Sequence, residues 1–215
     1  MQLVCVSGRA ARVPRVNARR ATRKAEQSEA TRAALLRAAR ELFIMRGYAA
    51  VGTEAIVRRA KVTRGALYHH FRDKTDLFRA VHEQLEAEMA EKIAAQLAAG
   101  GSDDQLELLR QGARTFLDHT TGPLARVTLV DAPAVLGWVE WRAIDERYGL
   151  GLIMAGLQGA IDAGVLREQP VKPLAHLLLA AIGKAGMLVA NAGDPEAVRA
   201  QVEPPLLALL EGLRP

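Results

Sequence analysis

Arg64, Gly65, Tyr68, His69 and His70 lie within one short run of the chain. Read as a helix, this run turns Leu67 inward and leaves Arg64, Gly65, Tyr68 and His69 facing out. A guanidinium can bond bidentately to the major-groove edge of guanine, which makes Arg64 the leading base reader. Phenol, imidazole and hydroxyl groups suit phosphate oxygens. The chemistry on offer is therefore reversible recognition of a polyanion. A metal site on His69 and His70 is the weaker reading, because adjacent helical residues point about 100° apart and make a poor ligand pair.

These residues need positioning. Thr63 suits a helix N-cap, so the reading helix starts there. Just upstream, residues 54–60 form a short helix with Ile56 and Ala60 on one face and Arg58 and Arg59 on the other. Helix, tight turn and helix is the arrangement that lays its second helix in a DNA major groove. A brace helix starting at Ser28 or Thr31 runs to about Arg46, with Leu35, Ala39, Leu42 and Phe43 at helical spacing. Gly47 stops it. Together with Ile56, Val62, Leu67 and Phe71, it makes a small three-helix core.

The run Gly65-Ala66-Leu67-Tyr68-His69-His70-Phe71, followed by Lys74 and Leu77, resembles the DNA-binding signature of the TetR family of bacterial transcriptional regulators. The likeness extends upstream through residues 35–43, Gly47-Tyr48 and Ile56, and covers about residues 31–77. It implies that Lys74 is a phosphate contact, with Tyr68 and His70 at positions that commonly touch phosphates. Thr53 and Thr63 match helix-start residues that donate to phosphate. Arg64, Gly65 and His69 match the variable, base-facing side of the reading helix. The chain departs from the pattern at Val51 and Gly52, where hydroxyl residues are common, and at Lys61, where the turn usually has glycine.

Net charge divides the chain as the motif does. Residues 1–80 carry +12 and residues 81–215 carry −7. Such asymmetry fits a polyanion-binding half joined to a half with another task. Residues 1–27 are basic, without apolar periodicity, and read as a disordered tail that tracks the DNA backbone or is merely solvated. The single cysteine, Cys5, excludes an internal disulfide. No signal-peptide core and no apolar run of membrane-spanning length stands out, so a cytoplasmic protein is expected. No G-x-S-x-G, H-E-x-x-H or phosphate-cradling glycine loop is present, and no carboxylate pair stands out at acid/base spacing. No enzyme activity, cofactor or metal is expected.

The expected fold is all-α, about nine helices, in three parts: the tail 1–27, a helix-turn-helix domain 28–77 and a helical domain 78–215. In the last, a long helix opened by residues 73–76 reaches Ala99, Gly100-Gly101-Ser102 ends it, and another covers about 103–120. A short helix over 124–130 then turns at residues 131–133. A mostly helical stretch to about Ala163 has a possible bend at Gly149 and Gly151. Two apolar helices, about 173–191 and 195–213, close the chain, the second kinked or split by Pro204-Pro205. The resemblance implies ligand binding and dimerisation here. Met89, Phe116, His119, Trp138, Trp141 and Met154 are candidates to line a small-molecule cavity, with Asp118, Asp131 or Glu140 as further polar anchors. Core packing is the plainer reading of each. The last two helices exceed what one thin layer can bury and suit a homodimeric four-helix interface, with Ala180, Ala181, Gly183, Gly186 and Ala190 allowing close approach. The expected function is a ligand-responsive regulator on a palindromic operator, most simply a repressor released by a small effector. Activation, or ligand-independent DNA binding through the basic tail, is the alternative.

Overall fold

The computed structural model describes residues 15–99 and 104–214, with side chains from residue 22 onward. Among these residues there are nine α-helices, one π-helical segment and no strand. The head is α1 (Arg15–Arg46), α2 (Thr53–Ala60) and α3 (Arg64–His70). The body is α4 (Lys74–Ala99), α5 (Gln105–Thr120), α6 (Ala132–Leu136), α7 (Trp138–Asp162), α8 (Val171–Ala190) and α9 (Pro195–Glu211). The π-helical segment Arg126–Asp131 runs into α6.

Short-range chemistry accounts for several helix ends. Thr63 accepts the N–H of Ala66, Asp104 accepts those of Leu106 and Glu107, and Asp194 accepts that of Ala197. Each satisfies donors that a helix start leaves unpaired. Gly47 ends α1 with φ 74°, a conformation that suits glycine. Lys61 ends α2 in the left-handed region, at φ 56° and ψ 41°, where the motif usually supplies glycine.

Leu35, Phe43, Ile56, Leu67, Leu77 and Phe78 are fully buried together. This cluster does not stop at the head. Val127, Leu129, Ala132 and Trp141 of the body belong to it, and the Trp141 indole N–H donates to the Thr128 carbonyl at 3.0 Å. A second core joins α5, α7, α8 and α9 through residues such as Leu117, Leu157, Leu179 and Leu210.

The structure departs from the sequence reading in several places. Residues 15–27 are helical and continue α1 upstream of Ser28, so the disordered tail does not extend through them. Residues 1–14 lie outside the described residues, as do Cys5 and Gly100-Gly101-Ser102. The break expected at residues 131–133 falls instead at Gly137, φ 82°, because Pro133 sits in the first turn of α6, where its missing N–H costs nothing. α7 is unbroken through Gly149 and Gly151. A Cβ on Gly149 would lie 3.0 Å from Leu179, so that glycine permits close contact with α8. α9 is one helix containing both Pro204 and Pro205, held by the burial of Leu206, Leu207 and Leu210. By length and composition α8 could cross a membrane, with mean hydropathy 1.6, contrary to the sequence estimate.

Candidate nucleic-acid interface

The outward face of α3 carries Arg64, Gly65, Tyr68 and His69, all exposed, while Leu67 is fully buried beneath them. Seven residues make a short helix, and the Thr63 cap with the Leu67 anchor fixes its position. The Arg64 guanidinium lies 5.6 Å from the Tyr68 ring centre. Beside the Tyr68 oxygen, Arg64 and then Thr53 hold the phenol below its usual pKa. Thr53, Thr63, Arg64 and Tyr68 thus share one surface made by the starts of α2 and α3. His70 is half-buried, and its ring sits 5.2 Å from that of His69 at 72°. No group of three metal-ligating side chains occurs among the described residues.

Lys74 is placed differently from an open surface cation. Its ammonium donates to the Tyr48 carbonyl at 2.8 Å and lies 3.8 Å from the centre of the Tyr48 ring. Burial lowers its pKa, with the Asp131 carboxylate acting in opposition. Asp131 also accepts the Tyr48 N–H at 2.8 Å, and the Tyr48 hydroxyl lies 3.0 Å from that of Thr75. A Cβ on Gly47 would fall 2.7 Å from the Arg126 guanidinium. The end of α1, the start of α4 and the π-helical segment therefore meet in one clasp between head and body. Further out, Arg79 binds Glu140 across α4 and α7, and Arg40 binds both oxygens of Glu88 across α1 and α4.

Behind the clasp, α4, α5, α7 and α8, with Leu210 of α9, line a cavity of about 80 Å³ that opens partly to solvent. Of the six side chains expected to line it, Met89 and Phe116 do so. Trp141 faces the head-side core, Trp138 is 61% exposed at the start of α7, and His119 and Met154 lie outside the lining. The further anchors are engaged elsewhere: Asp118 with Arg199, Asp131 with Tyr48 and Glu140 with Arg79. The polar groups that do line the cavity are Glu86, Asp145 and Tyr148. Glu86 had a signal in the sequence: it follows His82 by four residues and precedes Met89 by three, so it shares the inward stripe of α4. Asp145 had none, because only the tertiary fold brings it beside Glu86. Burial raises the Glu86 pKa to about 8, with the Asp145 charge adding to it, and burial raises Asp145 to about 6. His82, fully buried with neither ring nitrogen hydrogen-bonded, is pushed down to about 4 by burial.

Comparison with known proteins agrees with this architecture across both halves. Residues 35–81 match the family described as bacterial regulatory proteins, tetR family, and residues 106–213 match the tetracyclin repressor-like C-terminal domain. A TetR-family transcriptional regulator from Pectobacterium atrosepticum is 35% identical with a TM-score of 0.78, covering 88% of this chain and 96% of that one. The Tn10 TetC protein of Escherichia coli is 27% identical over 153 residues, 71% of this chain and 77% of TetC. The regulator AcrR of Shigella flexneri is 34% identical over 106 residues, 49% of each chain. RolR, solved with resorcinol, shares the fold at 19% identity and a TM-score of 0.68, over 89% of this chain and 98% of RolR. With its reading helix, its basic head and its all-helical body matched in order and at nearly full length, this chain belongs to the TetR family of bacterial transcriptional regulators.

Proposed function

We propose that this regulator represses transcription as a homodimer on a palindromic operator and is released when a small molecule enters the body cavity. Residues 28–77 act as the DNA-reading head and residues 78–215 as the effector and dimer domain. The observation that carries the reading is the outward face of α3, where Arg64, Tyr68 and His69 stand exposed on a head of strongly positive charge. Arg64 and His69 address base edges, and Gly65 lets the backbone approach. Thr53, Thr63, Tyr68 and His70 address phosphates. Lys74 keeps one N–H on the Tyr48 carbonyl and offers another to a phosphate, so it both positions the head and contacts DNA. The protein acts in the cytoplasm, where its DNA is, and carries out no catalysis.

The dimer surface is an apolar face made by α8 and α9. Leu177, Leu188 and Leu209 are 68%, 48% and 60% exposed. Pro173, Leu177, Ala180, Lys184 and Leu188 form one exposed stripe at three- and four-residue steps. Of the small residues on α8, Ala180 belongs to this stripe. Gly186 serves its own subunit, since a Cβ there would lie 2.6 Å from Phe116. Two such faces make a self-complementary interface of the four-helix kind. It would set the reading helices roughly 34–36 Å apart, one turn of DNA.

Selection of genomic fragments bound by the purified protein at physiological salt tests the reading. A palindromic site upstream of its own or a neighbouring gene is expected, and Tyr68→Ala should lose that site while remaining dimeric by gel filtration. Binding without sequence preference would move the function to DNA packaging.

A further inference from the structure

The body cavity combines a large apolar wall with acid at one end and no lining cation. Met89, Leu109, Phe116, Ile153 and Leu178 supply the wall, from α4, α5, α7 and α8. Glu86 and Asp145 supply the acid, and none of the described lining residues is Lys, Arg or His. The Glu86 side chain is 16% exposed and makes no hydrogen bond among the described residues. Its nearest charged or titratable neighbour on α4 is His82, whose Nδ1 lies 3.7 Å from Glu86 Oε1. His82 is fully buried, has no hydrogen bond at either nitrogen and does not line the cavity.

The surroundings of Glu86 add little positive charge. From α7 come Asp145, Tyr148 and Arg142. Arg142 donates to Asp145 at 2.7 Å and to Glu146 at 3.2 Å, so one cation serves two carboxylates. From α8 comes His176, whose Nδ1 is 3.3 Å from Glu146. From α5 the lining is wholly apolar or glycine. Arg147 is committed to Glu83 at the surface.

We propose, granting that the cavity is the effector site, that it takes an amphipathic amine: an apolar body against the α5 and α8 walls and one protonated nitrogen at the Glu86–Asp145 end. An anionic ligand would bring a further negative charge beside Asp145 into a site of low dielectric and hold Glu86 in its protonated form, which is costly. A neutral ligand would leave the carboxyls as they are. A cation stabilises both in their charged forms. Its binding drives the proton held by Glu86 into solvent, since burial has raised that carboxyl to about 8.

The test is calorimetric titration of the full chain, free of DNA, with three probes that share an apolar body: 4-phenylbutylamine, 4-phenylbutan-1-ol and 4-phenylbutanoate. At pH 7.5 the amine should bind at least about tenfold more tightly than the alcohol, and the carboxylate most weakly. Between pH 6 and 7.5 the amine affinity should rise by roughly tenfold or more, with proton release visible as a dependence on buffer ionisation heat, while the alcohol affinity stays flat. Glu86→Gln should cut the amine-to-alcohol ratio to within about threefold and flatten the pH response. Should that variant fail to fold, Asp145→Asn reads the same ratio. Equal binding of amine and alcohol, tightest binding of the carboxylate, or no saturable binding of any probe would overturn the assignment. Operator binding measured on the same samples is independent: a protein that binds its operator but no amine overturns the ligand class alone. One that binds the amine without leaving its operator overturns release and retains the class.

Discussion

His82 and Glu86 sit one turn apart on α4, and both are buried in the form that carries no charge near neutrality. Their effects on stability run in opposite directions with pH. The Glu86 pKa rises from 4.5 in the unfolded chain to about 8, so the folded state holds the extra proton and stability falls as pH climbs between those values. The His82 pKa falls from 6.5 to about 4, so the unfolded state takes the extra proton and stability falls as pH drops through that window. Glu86→Gln should therefore raise the melting temperature at pH 8.5 by more than at pH 5, with a gain on the order of 1–3 kcal/mol at the higher pH. His82→Leu should show its larger gain at pH 5, because it removes a group whose burial opposes protonation and two ring nitrogens without hydrogen bonds. Thermal melts of both variants across pH 5–8.5 check the two signs independently. An equal gain for Glu86→Gln at both ends would remove the case for a protonated carboxyl.

At the scale of elements, the turn between α2 and α3 sets the angle of the reading helix. Lys61 occupies a left-handed conformation that disfavours any residue with a Cβ. Lys61→Gly should stabilise the head by roughly 0.5–1 kcal/mol and, by removing one cation, make operator binding slightly less salt-dependent. Chemical denaturation and a salt titration measure these separately. Thr63→Ala should cost about 1 kcal/mol through the lost cap, visible as a loss of operator affinity in excess of any loss of dimer.

These elements were legible in the sequence because their determinants are local. A capping hydroxyl, a buried leucine at the centre of a short helix and a glycine stop lie within a few residues of what they control. The cavity was less legible. Trp138 and Trp141 looked like lining residues by type, yet one faces solvent and the other the head-side core. Glu86 and Asp145 come together only after α4 and α7 pack. Pro204-Pro205 read as a kink or a split because local rules apply to an isolated helix; α9 is not split, and its burial against the second core holds it as one element. The segment at residues 126–131 read as a short helix, but its π-helical winding had no sequence sign, and such segments often accompany functional positions. Here it carries Asp131, whose carboxylate accepts the Tyr48 N–H.

At the scale of the whole molecule, the prediction concerns assembly. Leu177→Glu places a charge in the centre of the exposed α8 face and should give a folded monomer by analytical ultracentrifugation. Operator affinity should fall by at least about tenfold, since one head alone keeps only half of the contacts. A dimer that survives Leu177→Glu, Leu188→Glu and Leu209→Glu would place the two-fold elsewhere.

The buried cluster that runs from Leu67 through Phe43 and Phe78 to Val127 and Trp141 makes the head and the lower body one hydrophobic unit. Its consequence is genetic as well as mechanical. Alleles that abolish control of the target gene should map far from α3: cavity-forming changes at Val127, Leu129 or Trp141 would each cost on the order of 2–5 kcal/mol to the same unit that holds the reading helix. A screen that sorts mutations by phenotype alone would score them as DNA-contact defects.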